Sequence, residues 1–248
     1  MSFYVTLISD SSLSFFPDNK ISHFTTQLPR PIELRNGAWE MALVDFVYPH
    51  TWYNIREDNN LYVFDVGDNT FQAGNIPVGY YSNVAEVLKN IKIESPNTET
   101  QKSKSKLDLY YNPVSKKIKY QLHDRAKLIL SPQLAGMLGF EYKDLKGSGY
   151  STRAADLKGV LPIMYVYCDL VEPQIVGDVQ APLLKIVNVK GHDGEIININ
   201  FPRPVYLPII RQHFQTIHVD IRQHSGALVP FESGKVFLTL HFRLRQIV

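Results

Sequence analysis

An all-β sandwich of the jelly-roll kind, interrupted by one α+β insertion, is the fold this chain predicts. Three observations predict it. Segments 38–48 (AWEMALVDFVY) and 162–171 (PIMYVYCDLV) are dense in β-branched and aromatic residues, as strands in the middle of a sheet are. Apolar and polar residues alternate with period two at 21–28, 213–223 and 235–244, the mark of half-buried strands. Gly, Pro, Asn and Asp turn signals separate these runs, where parallel strands would need crossover helices.

Taken in order, 3–8 is a short strand candidate, followed at 9–19 by a polar segment that holds Phe15 and Phe16 with no period to bury them. In 21–28, Phe24, Thr26 and Leu28 alternate with His23, Thr25 and Gln27, and Pro29 and Pro31 are expected to end the strand. Segment 38–48 is apolar on both faces, with Trp39, Met41, Leu43 and Val47 on one and Ala42, Val44, Phe46 and Tyr48 on the other. A strand at 61–66 closes on Gly67-Asp68-Asn69. Asn83 then has N-cap chemistry, with Glu86 three residues on, and Val84, Val87, Leu88 and Ile91 make one helical face. Segment 94–106 has no apolar residue and reads as a surface loop. Segments 107–111 and 117–123 form a hairpin through Asn112-Pro113, and Ser131-Pro132 to Gly139 frames a short helix. Residues 70–158 are therefore expected as an α+β insertion within one jelly-roll domain spanning 1–248.

After it, Met164, Val166, Cys168 and Leu170 alternate with Ile163, Tyr165, Tyr167 and Val171, which predicts a strand buried on both sides. Glu172-Pro173 stops it, Gly177-Asp178 turns the chain, and Pro182 leads into a strand at 183–189. A Gly-His-Asp-Gly turn at 191–194 joins that strand to 195–201 as an expected hairpin. Strand 213–223 turns Ile217, Val219 and Ile221 inward, and 235–244 does so with Val236, Leu238, Leu240 and Phe242. The strands at 21–28, 38–48, 61–66, 162–171, 183–189, 195–201, 213–223 and 235–244 are eight, the count of a jelly roll. Their expected common core contains Trp39, Leu43, Val166, Leu170, Val219 and Leu240.

At 248 residues one domain would bury roughly 70–75% of its unfolded surface. A single cysteine excludes an internal disulfide framework. The opening MSFYVTLISDSS lacks signal-peptide regions, and no apolar run is long enough to span a membrane. These features suit a protein made inside the cell and not secreted. Net charge is +2, but residues 1–100 hold 6 Lys/Arg against 12 Asp/Glu and the remainder holds 20 against 12. Scattered solvated charge is the leading reading of that split, with contact between the basic half and an acidic partner or a nucleic acid such as packaged DNA as the other.

Enzyme signatures are absent: there is no G-x-S-x-G elbow, Walker loop, H-E-x-x-H or C-x-x-C. No H-x-H occurs among the eight histidines. His213 and His218 are expected on opposite faces, and a meeting of His218 with His241 across neighbouring strands would be a polar pair on a solvent face. Asp169 reads as a carboxylate that answers a backbone donor. No catalytic residue, cofactor, metal or small-molecule substrate is expected.

Seven fragments carry a family resemblance. They are W-E-M-A-L-V-D at 39–45, Y-V-Y-C-D-L-V-E-P at 165–173, V-G-D at 176–178, P-L-L at 182–184, Y-L-P at 206–208, G-A-L-V-P-F-E-S-G-K at 226–235 and L-H-F-R at 240–243. With F-Y-V-T-L-I-S at 3–9, P-D-N-K at 17–20 and F-T-T-Q-L-P at 24–29, the chain resembles the minor capsid (penton) proteins of Polinton/Maverick elements and adintoviruses. The resemblance implies a single jelly roll forming homopentamers at the vertices of an icosahedral virion. Its partners there would be trimers of a double-jelly-roll major capsid protein. In that setting Phe15 and Phe16, on a segment loose before assembly, are the candidate assembly contacts. The competing class is a non-viral jelly-roll binding module, lectin-like or cytokine-like, which 14 Tyr and 13 Phe would equip to stack on sugars.

Overall fold

The computed structural model describes residues 2–35, 37–66, 70–92, 106–123, 125–157, 159 and 161–245. The expected turn at Gly67-Asp68-Asn69 and all of 94–106 except Lys106 lie outside the described residues. In chain order the elements are β1 (Ser2–Ile8), β2 (His23–Glu33), β3 (Trp39–Pro49), β4 (Leu61–Asp65), β5 (Phe71–Asn75), α1 (Val84–Lys89), β6 (Leu107–Asn112), β7 (Lys117–Leu122), β8 (Lys127–Leu130) and α2 (Pro132–Met137). There follow β9 (Leu145–Lys146), β10 (Ser148–Tyr150), β11 (Ile163–Cys168), β12 (Gln174–Val176), β13 (Val179–Ala181), β14 (Leu183–Asn188), β15 (Ile196–Asn200), β16 (Leu207–Pro208), β17 (His213–Arg222) and β18 (Phe237–Leu244). The chain forms two compact units, Met1–Trp52 with Leu161–Val248, and Tyr53–Val160.

The first unit is a jelly-roll sandwich. One sheet runs β1-β18-β3-β15 and the other β14-β11-β17-β2. Among the eight strands of these two paths, first pairs with last, second with seventh, third with sixth and fourth with fifth, all antiparallel. That is the pairing made when one long antiparallel ribbon folds over on itself. The membership differs from the expected one in a single exchange. Segment 3–8 is in, because β1 pairs with β18 from end to end, and 61–66 is out, because β4 pairs with β5 and β8 in the second unit. The expected hairpin across 191–194 is also corrected. Its turn glycines do adopt positive φ, but β14 and β15 lie in different sheets, so the turn carries the chain from one layer to the other. There Tyr48 accepts from the Lys190 amide at 2.8 Å, anchoring the turn to β3.

The inner faces of both sheets make one core that includes Leu7, Phe24, Met41, Phe46, Tyr48, Met164, Ile217, Leu238 and Phe242. Two bulges decide which residues reach it. Leu43 faces Leu240 while Asp45 faces Thr239, so Val44 is the extra residue. Core positions therefore change parity along β3, from Trp39, Met41 and Leu43 to Phe46 and Tyr48, and Val47 turns outward. A second irregularity at Gln215 does the same for β17, leaving Phe214 and Ile217 buried while His213 and His218 both face outward, where opposite faces were expected. The two prolines after Leu28 do not end β2. They fall in the register gap opposite Gln215 on the sheet's edge strand, where no ladder N–H is required of them.

β11 is shorter than expected and buried on one side only. Met164, Val166 and Cys168 enter the core, while Ile163, Tyr165 and Tyr167 are half-buried on the outer face. Tyrosine suits that face, its ring covering the sheet and its hydroxyl reaching water. Cys168 is buried, and burial pushes its thiol up to about 12. Iodoacetamide at mildly alkaline pH is therefore expected to spare Cys168 in the folded protein and to label it fully in denaturant. Rapid labelling of the folded chain would place this thiol outside the core.

The second unit has a four-stranded sheet, β5-β4-β8-β9, a three-stranded sheet, β10-β7-β6, and both helices. Its own core joins Ile55, Phe64, Ile76, Val87, Ile118, Leu128, Leu134 and Leu138. Asn83 caps α1, its side chain accepting from the Glu86 amide at 3.0 Å. Pro132 opens α2, and Gly139 ends it at φ +77°. Among the described residues no helix is long and apolar enough to cross a membrane.

Candidate assembly surface

Phe15 is 67% exposed and Phe16 half-buried, on a segment that is not loose. Its polar side chains tie it down. Ser12 is buried and accepts from the Gln27 amide at 2.9 Å, and Asn19 both donates to the Thr25 carbonyl and accepts from its amide at 2.9 Å. At the other end the Val236 amide donates to the Ser9 hydroxyl at 3.1 Å, and Lys235 pairs with Asp10 at 2.6 Å. The absence of strand or helix period at 9–19 thus reflects a pinned loop that holds Phe15 out as a fixed apolar tip.

Four further exposed apolar residues of this unit, among others, escape a reading aimed at buried strands. β12 and β13 pair only with each other, across Gly177-Asp178, and leave Ile175 81% and Val179 56% exposed. At the sandwich edges Ile186 on β14 and Ile196 on β15 are also exposed. The signal was legible as I-V-G-D-V, apolar residues on either side of a two-residue turn in a hairpin too short to bury them. Exposed apolar residues on unpaired hairpins and sheet edges are suited to a second chain.

The sequence-expected core residues Trp39, Leu43, Val166, Leu170, Val219 and Leu240 all lie in the buried cluster of the sandwich. His218 and His241 do not meet, since they belong to different sheets. His241 accepts or donates to the Tyr206 hydroxyl at 2.6 Å and stacks on Tyr4, while Arg243 lies over Tyr206 and pairs with Glu40. Asp169 accepts from the His218 amide at 2.9 Å and pairs with Arg211 at 3.0 Å. On the outer face of β17, the hydrogen bond to Asp220 raises the pKa of His218. Partial burial works against the charge of Asp220, yet hydrogen bonds from His218, Arg222 and His23 outweigh it and hold the carboxyl below its usual range.

No protein-family model matches the sequence. No curated protein sequence matches it either. Among solved structures, the mavirus penton protein is similar over 98% of this chain and 99% of its own, with a TM-score of 0.52 and 12% identity. The Sputnik virophage, solved by cryo-EM at 3.5 Å, contains a chain similar over 97% of both, with a TM-score of 0.47 and 11% identity. The fold of this protein is that of the mavirus penton protein.

Proposed function

We propose that the protein is a structural virion component, a minor capsid (penton) protein that forms homopentamers at icosahedral vertices and contacts double-jelly-roll major capsid trimers. The observation that carries this reading is a fold similarity that runs through nearly the whole of both chains, insertion included, and not through the sandwich alone. A penton must close a ring through heterologous contacts and then attach to its neighbours. The exposed apolar residues at Ile175, Val179, Ile186 and Ile196 are suited to the first task, and Phe15 on its pinned loop to the second. The second unit, Tyr53–Val160, is wider than the expected 70–158 insertion and would face the particle's exterior or its neighbours.

Three measurements test this. Solution mass is expected to be that of five chains; three chains would favour a cytokine-like module, and a sugar-binding monomer a lectin-like one. Phe15→Ser is a surface change, worth within about 0.5 kcal/mol, so Tm should move by less than about 2 °C. Phe15→Ser with Phe16→Ser is expected to abolish incorporation into particles when co-expressed with a major capsid protein. Normal incorporation of the double variant would remove the loop from the interface, and a large fall in Tm for Phe15→Ser would make it core.

A further inference from the structure

The outer face of the β14-β11-β17-β2 sheet carries a square of four polar side chains. His23 and Thr25 on β2 stand directly opposite Asp220 and His218 on β17. His23 Nδ1 is 2.5 Å from Asp220 Oδ1, and His218 Nε2 is 3.4 Å from the same oxygen. Ligand atoms from the three residues all lie within 4.8 Å of one another. We propose that this square is a transition-metal site that takes Zn²⁺ through His23 Nδ1, His218 Nε2 and Asp220 Oδ1, with solvent completing the coordination.

The donor chemistry selects the ion. Two imidazole nitrogens and one carboxylate oxygen form a zinc donor set, whereas Ca²⁺ and Mg²⁺ prefer oxygen alone. Zinc–ligand bonds of about 2.0–2.2 Å in tetrahedral geometry separate the donors by roughly 3.3 Å. The His218–Asp220 pair already has that spacing at 3.4 Å. His23 has to draw back from Asp220 by less than about 1 Å, and the two imidazole nitrogens, within 4.8 Å of each other, have to settle at the same spacing. Both rings can adjust without disturbing the core, since the His23 and His218 side chains are 43% and 33% exposed.

The surroundings supply what ligands of this kind need. Thr25 Oγ1 is 2.9 Å from His218 Nδ1, so it can take the N–H of that nitrogen and leave Nε2 free as the ligand. Arg222 donates to Asp220 Oδ2 at 2.7 Å, which orients the carboxylate and leaves Oδ1 for the ion. Both strands are anchored beside the site, β17 by the His218 amide on Asp169 and β2 by the Thr25 amide on Asn19. His23 lies almost two hundred residues from His218 and Asp220, so the sequence spacing shows only an H-x-D pair and not the third ligand. A bound ion would clamp the edge strand β2 to β17, and this inference stands apart from the capsid reading.

The test uses the full chain, stripped with a chelator and titrated with ZnCl₂. One ion should bind per chain, and zinc at a hundredfold excess over its Kd should raise Tm by about 5 °C or more. His23→Gln and His218→Gln are each expected to abolish that rise, measured against the variant's own zinc-free Tm. Thr25→Val should weaken zinc binding about tenfold. Co²⁺ offers an independent readout through the visible bands of a low-coordinate site, lost in both histidine variants. A zinc-dependent rise that survives in both histidine variants, or none in the parent protein, would reduce the square to a hydrogen-bonded array and overturn the proposal.

Discussion

Replacing Trp39 with alanine is expected to cost the sandwich about 3–5 kcal/mol of stability. The side chain is 7% exposed and sits in the core beside Phe3, which in turn stacks on Phe242 at 4.9 Å between ring centroids. Its indole N–H donates to the Arg35 carbonyl at 3.2 Å, so truncation leaves both a cavity and an acceptor without its donor. The protein's other tryptophan, Trp52, belongs to the same core, and its fluorescence reports unfolding of this unit in the variant. Urea titration followed by Trp52 emission gives the loss directly. Trp39→Phe should retain part of the stability by filling part of the space. A loss below about 1 kcal/mol for the alanine variant would show that the residue does not support the core.

In the second unit the largest expected effect is Gly139→Ala. Gly139 has φ +77°, and an added Cβ would lie 2.3 Å from the Arg153 carbonyl oxygen. The strained conformation costs roughly 1–2 kcal/mol for any residue with a Cβ. The collision adds about 1–3 kcal/mol, because the obstacle is backbone and cannot swing aside. The same turn accepts from the Arg153 amide at 2.9 Å and from the Thr152 hydroxyl at 3.1 Å, so displacing it breaks the link between α2 and the segment ahead of β11. Hydrogen–deuterium exchange should quicken markedly across 132–157. Gly136→Ala is the control: it lies inside α2 with open space around its Cβ, and should be neutral or stabilising by about 1 kcal/mol. Unchanged exchange in Gly139→Ala would show that the turn tolerates a side chain.

The features readable along the chain are those set by neighbours a few residues away. Asn83 with Glu86, Pro132 and Gly139 mark helix ends because capping, a proline-fixed φ and positive φ are local chemistry, whereas Ser131, expected as a cap, makes no side-chain cap hydrogen bond. The alternation in β18 places Leu238, Leu240 and Phe242 in the core, since after Phe237 its other face carries Thr239, His241 and Arg243. Where both faces are apolar, as in β3 and β11, alternation says nothing about direction. The bulge at Val44 and the half-exposed tyrosines Tyr165 and Tyr167 were therefore invisible to it.

By itself the sequence determined the class of this protein: all-β, built from antiparallel strands around turn residues, with a mixed segment in the middle. It also marked the core side of strands with one polar face, those of Val219 and Leu240, because burying the apolar face is the dominant gain available to them. Only the tertiary structure decided which strands share a sheet. β1 joins β18, and β14 parts from β15, through ladder bonds between residues far apart in the chain. It also decided what the outer faces hold. His23 and Asp220 meet because β2 and β17 pair in one register out of several that their alternation would allow. A period of two specifies which face a residue takes and leaves open which partner it will find there, and the partner is set by the pairing of the whole sheet.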